Sequence, residues 1–193
     1  MLNIFLLLGK EPFDVILCDP PWENKHVRRS GTYKSMDNIN IFNSIPLDSL
    51  LSLNGILLVW CTSTSPRHQS ETLEWIESSG LRLLGTLYWL KVTISGELVH
   101  EETKNRPSWE LLYIASRLND GRTELEPRVI LSVPSAVHSH KPPLIEVLKD
   151  LGLPWRNGLE IFGRYLLPGW TTIGNQALKL QHIKYFKDIS YTK

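Results

Sequence analysis

The stretch Asp14-Val15-Ile16-Leu17-Cys18-Asp19-Pro20-Pro21-Trp22 constrains this chain more than any other. The run Asp14 to Cys18 is short and apolar and carries Val and Ile, so it reads as a buried strand of a parallel sheet. The strand must stop at the prolines. Each lacks a backbone N–H, fixes its own φ and pushes the residue before it out of the helical region. Asp19 is therefore left on a stiff loop at the carboxyl end of a strand, with the indole of Trp22 beside it. In open α/β sheets ligands bind at that edge. The plainer alternative is an Asp-capped turn with Trp22 as a plug between surface and core.

The loop suits chemistry on an amino group attached to a planar ring. Such a nitrogen is a poor nucleophile because its lone pair is conjugated with the ring. Asp19 can accept one N–H and the carbonyl of Pro20 the other, which favours the pyramidal, reactive nitrogen. Catalysis of this kind is positioning and electrostatics, without a covalent intermediate. Trp22 offers a face for the ring, as aromatics do for unstacked bases.

Three later stretches carry chemistry. Arg128 to Val133 reads as a strand, and the polar loop Pro134 to Pro143 comes after it and opens the helix Leu144 to Leu151. Lys141, just before that helix, can pair a bound carboxylate with three donors. His138 and His140 show no third ligand for a metal. Ser135 or Ser139 lacks the Gly-x-Ser-x-Gly elbow of a hydrolase triad. A helix-capping loop is the bland alternative. Leu159-Glu160-Ile161-Phe162-Gly163-Arg164 is the last core strand expected, and Pro168-Gly169-Trp170 a turn. Gly174-Asn175-Gln176 then offers two successive amides, each with donors and an acceptor for ribose hydroxyls.

Asp19-Pro20-Pro21-Trp22 resembles the signature of the adenine-N6 methyltransferases. Glu23-Asn24-Lys25, His138-Ser139-His140-Lys141-Pro142-Pro143 and Leu178 to His182 are similar to its methyltransferase-like protein 4 branch, which usually has Glu where Gln176 stands. The likeness runs from about Phe13 to Phe186. It implies a Rossmann-like α/β fold with a mostly parallel sheet, in circularly permuted order, since the Asp19 strand precedes the Arg164 strand. It implies S-adenosyl-L-methionine as cofactor, and the 6-amino group of adenine (or of 2′-O-methyladenosine) in RNA or DNA as acceptor. Asp19, Pro20, Pro21 and Trp22 would be catalytic. Cys18, Asp19, Lys141, Arg164, Asn175 and Gln176 would hold the cofactor, with Glu160 and Phe162 supporting the pocket. Trp22, Asn24, Lys25, Arg28, Tyr33 and Glu110 would meet the substrate. The family implies the nucleus, with the cytosol as the alternative. A non-catalytic nucleic-acid-binding subunit that keeps the fold is the rival reading.

Some assignments keep two readings. Lys25, Arg28, Arg29 and Lys34 come directly after the Asp19 loop and can grip phosphates, or they form a solvated face. Tyr33 lines a pocket or packs. Glu110 sits in the apolar run Trp109 to Ala115, where a carboxylate needs a partner: a ligand, or a basic neighbour such as Arg106.

The 193 residues suit one domain over the whole chain, and no separate N-terminal recognition domain is expected ahead of Asp19. The net charge of +1 leaves any nucleic-acid surface to be local. Cys18 and Cys61 form no Cys-x-x-Cys, so no metal site is expected. Leu2 to Leu8 is too short to cross a membrane and reads as an edge strand; no membrane partner is expected. The chain acts as a monomer or with a heteromeric partner. Between the motifs, a short helix over Ser49 to Leu53, capped by Asp48 and ended by Asn54-Gly55, leads to a strand Gly55 to Cys61. A helix from Ser65-Pro66 to Gly80 places Leu73 and Ile76 on one face. Leu81 to Val92 is a third strand, and Ser95-Gly96 a loop tip.

Overall fold

The computed structural model describes residues 11–22, 42–100, 107–135, 140–153, 155–174 and 182–185. Its strands are β1 (Phe13–Cys18), β2 (Leu51–Cys61), β3 (Leu81–Lys91), β4 (Trp109–Arg117), β5 (Arg128–Ser132), β6 (Gly158–Ile161) and β7 (Trp170–Ile173). Its α-helices are α1 (Leu47–Leu50), α2 (Pro66–Ser78) and α3 (Ile145–Asp150). The expected lead-in strand at Leu2 to Leu8 lies outside the described residues.

The strands form one sheet in the order β5-β3-β4-β2-β1-β6-β7. β1 pairs in parallel with β2 and β6, β6 with β7, and β3 with β5. β4 runs antiparallel to both β2 and β3. The sheet is thus mostly parallel, with one reversed strand. The carboxyl ends of the other strands and the amino end of β4 share an edge.

β1 lies inside the sheet because it can be buried on both sides. Val15, Ile16 and Cys18 are fully buried, each aliphatic side chain contributing about 1.5–3 kcal/mol. The period of two sends Ile16 and Cys18 to one face and Val15 and Leu17 to the other. The first face packs on Trp75 and Ile76 of α2 and on Phe42. The second packs on Leu144, Leu148 and Leu153 around α3.

α2 starts as its sequence demands. Ser65 Oγ accepts from the amide of His68 at 3.3 Å, and Pro66 takes the first turn. Gly80 leaves it at φ 71°. The buried face is His68, Thr72, Trp75 and Ile76, whereas Leu73 faces outward. The interval between Thr72, Trp75 and Ile76 defines the inner stripe, and Leu73 falls one residue off it.

Other local expectations are also corrected. α1 ends at Leu50, and Leu51 already belongs to β2, so Asn54-Gly55 lies inside a strand. Asp48 does not cap the helix; it pairs with Arg117 at 3.2 Å. The β1–β2 register shifts between Phe13 and Val15, absorbing the extra residues of β2. β6 is not the last strand. Trp170, expected in a turn, opens β7, where it pairs with Gly158. Its indole lies over that glycine: a Cβ there would come within 2.5 Å of the ring.

Candidate active site

The shared edge gathers the charged residues. Each core strand alternates its side chains, so Asp19, one residue past Cys18, points to the α3 side of the sheet. Glu110 precedes Leu111 at the amino end of β4, and Lys91 comes two residues after Trp89 at the carboxyl end of β3. Both fall on that same side. The reversal of β4 is what carries Glu110 to this edge.

Lys141 arrives from the loop before α3. Its ammonium lies 2.5 Å from Glu110 Oε2 and 3.4 Å from Asp19 Oδ1. It also sits over the rings of Trp60 and Trp89, at 5.4 and 6.0 Å. Lys91 donates to the other oxygen of Glu110. Two carboxylates and two ammonium groups thus alternate in a chain: Asp19, Lys141, Glu110, Lys91. Burial raises the proton affinity of Asp19, and Lys141 only partly offsets it. Burial acts in the same direction on Glu110, but Lys141 and Lys91 outweigh it and hold the carboxyl below its ordinary value. Burial opposes the charge on Lys141, yet Asp19 and Glu110 keep its pKa raised.

The loop itself is tied at both ends. The Asp19 amide donates to the Ile161 carbonyl at 3.3 Å, and the Trp22 amide donates to the Pro20 carbonyl at 2.8 Å. One lone pair of that carbonyl is used, and the second remains to accept from a ligand. The Trp22 indole donates to the Trp60 carbonyl at 3.1 Å. Its ring stacks on His68 at 4.8 Å and meets Phe42 edge-on at 5.9 Å. The plug reading of Trp22 therefore holds, with the indole still half-exposed. One of its faces belongs to His68.

On the far side of Asp19, β6 brings Glu160 to the same face as Leu17. Glu160 is buried, and its Oε2 has no hydrogen-bond partner among the described residues. Burial and the Asp19 charge push its pKa up to about 7. Phe162, just beyond β6, adopts φ 68°. A positive φ is costly for an aromatic residue and marks a forced turn. Gly163 and Gly174 then pass so closely that a Cβ on Gly174 would overlap the Gly163 carbonyl. Arg164 comes next, and its charge reaches Asp19. Tyr165 donates to the Lys141 carbonyl at 3.4 Å and meets His140 edge-on at 4.6 Å.

The edge thus brings together Cys18, Asp19, Pro20, Pro21, Trp22, Glu110, Lys141 and Arg164. Glu110 finds its cations in Lys91 and Lys141; Arg106 lies outside the described residues. So do Asn24, Lys25, Arg28, Tyr33, Asn175, Gln176, His138 and Ser139. Lys91 and His68 are not singled out by the sequence reading. Lys91 is within reach of a period-two reading, because Leu87, Trp89 and Lys91 share a face; His68 carries no local signal.

A sequence profile of the MT-A70 family matches residues 13–176. The chain belongs to the MT-A70 family. Human "N(6)-adenine-specific methyltransferase METTL4" is 37% identical over 94% of this chain and 41% of its own length. "N6-methyladenosine RNA methyltransferase MTA1" of Pyricularia oryzae is 37% identical over 91% of this chain and 50% of its own. "DNA N6-methyl methyltransferase" of Caenorhabditis elegans is 32% identical over 88% and 47%. The chain spans half or less of the length of these relatives. MT-A70 methyltransferases generally depend on S-adenosylmethionine. The residues at this edge suit its amino-acid end, which carries an ammonium and a carboxylate. Lys141 suits the second, and it stands beside Asp19.

Proposed function

We propose that this chain transfers a methyl group from S-adenosylmethionine to the 6-amino group of adenine in RNA or DNA. The observation that carries the reading is the pairing of Asp19, on its stiff Pro-Pro loop, with Lys141 at the sheet edge of an MT-A70 chain. When bound, the cofactor supplies an electrophilic methyl group on a sulfonium sulfur. Asp19 and the spare lone pair of the Pro20 carbonyl accept the two N–H groups of the amine and leave the nitrogen lone pair facing that methyl. The face of Trp22 not stacked on His68 would carry the ring. Methylation of the amine would release one of its protons, and the raised proton affinity of Asp19 would suit it to receive that proton. Lys141 and Arg164 hold the cofactor's anionic and polar groups, assisted by Asn175 and Gln176. The family resemblance assigns Asn24, Lys25, Arg28 and Tyr33 to the nucleotide.

The test is transfer of isotopic label from S-adenosylmethionine to matched RNA and DNA oligonucleotides, with digestion and mass spectrometry. Label on adenine N6 is expected, and the ratio of RNA to DNA product assigns the substrate. Failure to bind the cofactor at all would favour a non-catalytic nucleic-acid-binding subunit.

A further inference from the structure

Glu110 has two ammonium partners, one on each oxygen: Lys141 on Oε2 and Lys91 on Oε1. Lys141 is also the group that must stay near Asp19. Its contact with Glu110 is 2.5 Å and with Asp19 3.4 Å. Attraction falls with distance, so Glu110, the nearer carboxylate, has the stronger claim on the shared ammonium. What limits that claim is Lys91, which neutralises much of the Glu110 charge from the other side.

Lys91 is built to stay where it is. It ends β3, its amide donates to the Ser108 carbonyl at 2.6 Å, and its carbonyl accepts from the Val99 amide at 3.1 Å. Its ammonium rests over the Trp89 ring at 4.6 Å. Trp89 itself is fixed, since its indole donates to Ser132 Oγ at 2.8 Å. The Lys141 side, by contrast, hangs from a loop, and its ammonium touches two acids.

We propose that Lys91 is a positioning residue for Lys141: by occupying one oxygen of Glu110 it keeps that carboxylate from drawing the Lys141 ammonium away from Asp19. The role rests on the methyltransferase reading, and it concerns the donor rather than the nucleic acid. Without Lys91, Glu110 has a bare oxygen and keeps Lys141 as its partner on the other. The Lys141 ammonium then turns toward both Glu110 oxygens, and a donor carboxylate must compete for it. Arginine at position 91 can still occupy Oε1, whereas methionine fills the same space with no charge.

The experiment compares wild type, K91M, K91R, E110Q and K91M/E110Q, with donor affinity measured by calorimetry and donor kinetics by labelled transfer. K91M should weaken S-adenosylmethionine binding about tenfold, as expected for a disturbed charge pair. K91R should stay within about threefold of wild type. In K91M, kcat/KM for the donor should fall more than kcat at saturating donor. On the E110Q background, K91M should add almost nothing, because its effect runs through Glu110. Donor affinity unchanged in K91M would overturn the role. So would losses that simply add in the double variant, or K91R as weak as K91M. Wild type failing to bind the donor would overturn the functional reading and this role with it. Wild type binding while K91M binds equally would overturn the role alone.

Discussion

Asp19 is pulled in two directions. Burial raises its proton affinity, and the neighbouring Lys141 lowers it. On the proposed mechanism that balance would suit a carboxylate that accepts a hydrogen bond from an amine and then takes its proton. Asp19→Asn keeps the shape but turns one acceptor into a donor facing the Lys141 ammonium. Turnover should fall at least about a hundredfold, while near-normal turnover would refute the mechanism. Glu160 makes a second prediction. Its pKa rises from 4.5 in the unfolded chain to about 7 in the fold. Between those values the folded protein binds more protons than the unfolded one. The neutral carboxyl therefore stabilises the fold below about pH 4.5, and this contribution is lost as pH rises through about 7. The loss is on the order of 3 kcal/mol. Glu160→Gln should flatten the fall in Tm across that window; a wild-type slope in the variant would show that Glu160 titrates normally.

At the scale of elements, the chain after β6 approaches the chain after β7 closely, which fixes the backbone just before Arg164. Gly174→Ala would push a Cβ against the Gly163 carbonyl, both being backbone with nowhere to go. A cost of about 1–3 kcal/mol is expected, together with loss of donor affinity. Ser65→Ala, at the far start of α2, should cost about 1 kcal/mol and leave donor affinity unchanged. Thermal melts and calorimetry on the pair separate a damaged site from a weakened fold. The same elements show what can be read from the chain. β1 is legible because a run buried on both faces and then stopped by two prolines has one solution. Lys141 is legible because Pro142-Pro143 fixes the backbone on its carboxyl side. β7 is not, since Trp170-Thr171-Thr172-Ile173 is short and comes right after Pro168-Gly169, and its pairing with β6 is tertiary. Nor is the start of β2: local capping signals at Asp48 and Asn54 argue for a helix, and pairing with Phe13 overrides them. The ion chain of Asp19, Lys141, Glu110 and Lys91 requires the direction of β4, which no local pattern announces.

For the molecule as a whole, the proposed donor binding would be linked to folding. A ligand that binds only the folded state at about a hundred times its Kd adds about 2.7 kcal/mol. For a chain of 193 residues that is a rise in Tm of about 5–10 °C. No rise with S-adenosylhomocysteine, measured by scanning calorimetry, would mean that the chain does not form the site. The linkage has its root in topology. The Asp19 amide is held by Ile161, far along the chain, and β1 is flanked by β2 on one side and by β6 on the other. During synthesis the Asp-Pro-Pro-Trp loop therefore leaves the ribosome long before its second neighbour exists. A nascent chain, or one truncated ahead of β6, carries the complete signature with one flank of its strand bare. The signature is local, but the site it serves closes only when two distant stretches of the chain meet, so the proposed methyl transfer would come on with the last part of the sheet rather than with the first.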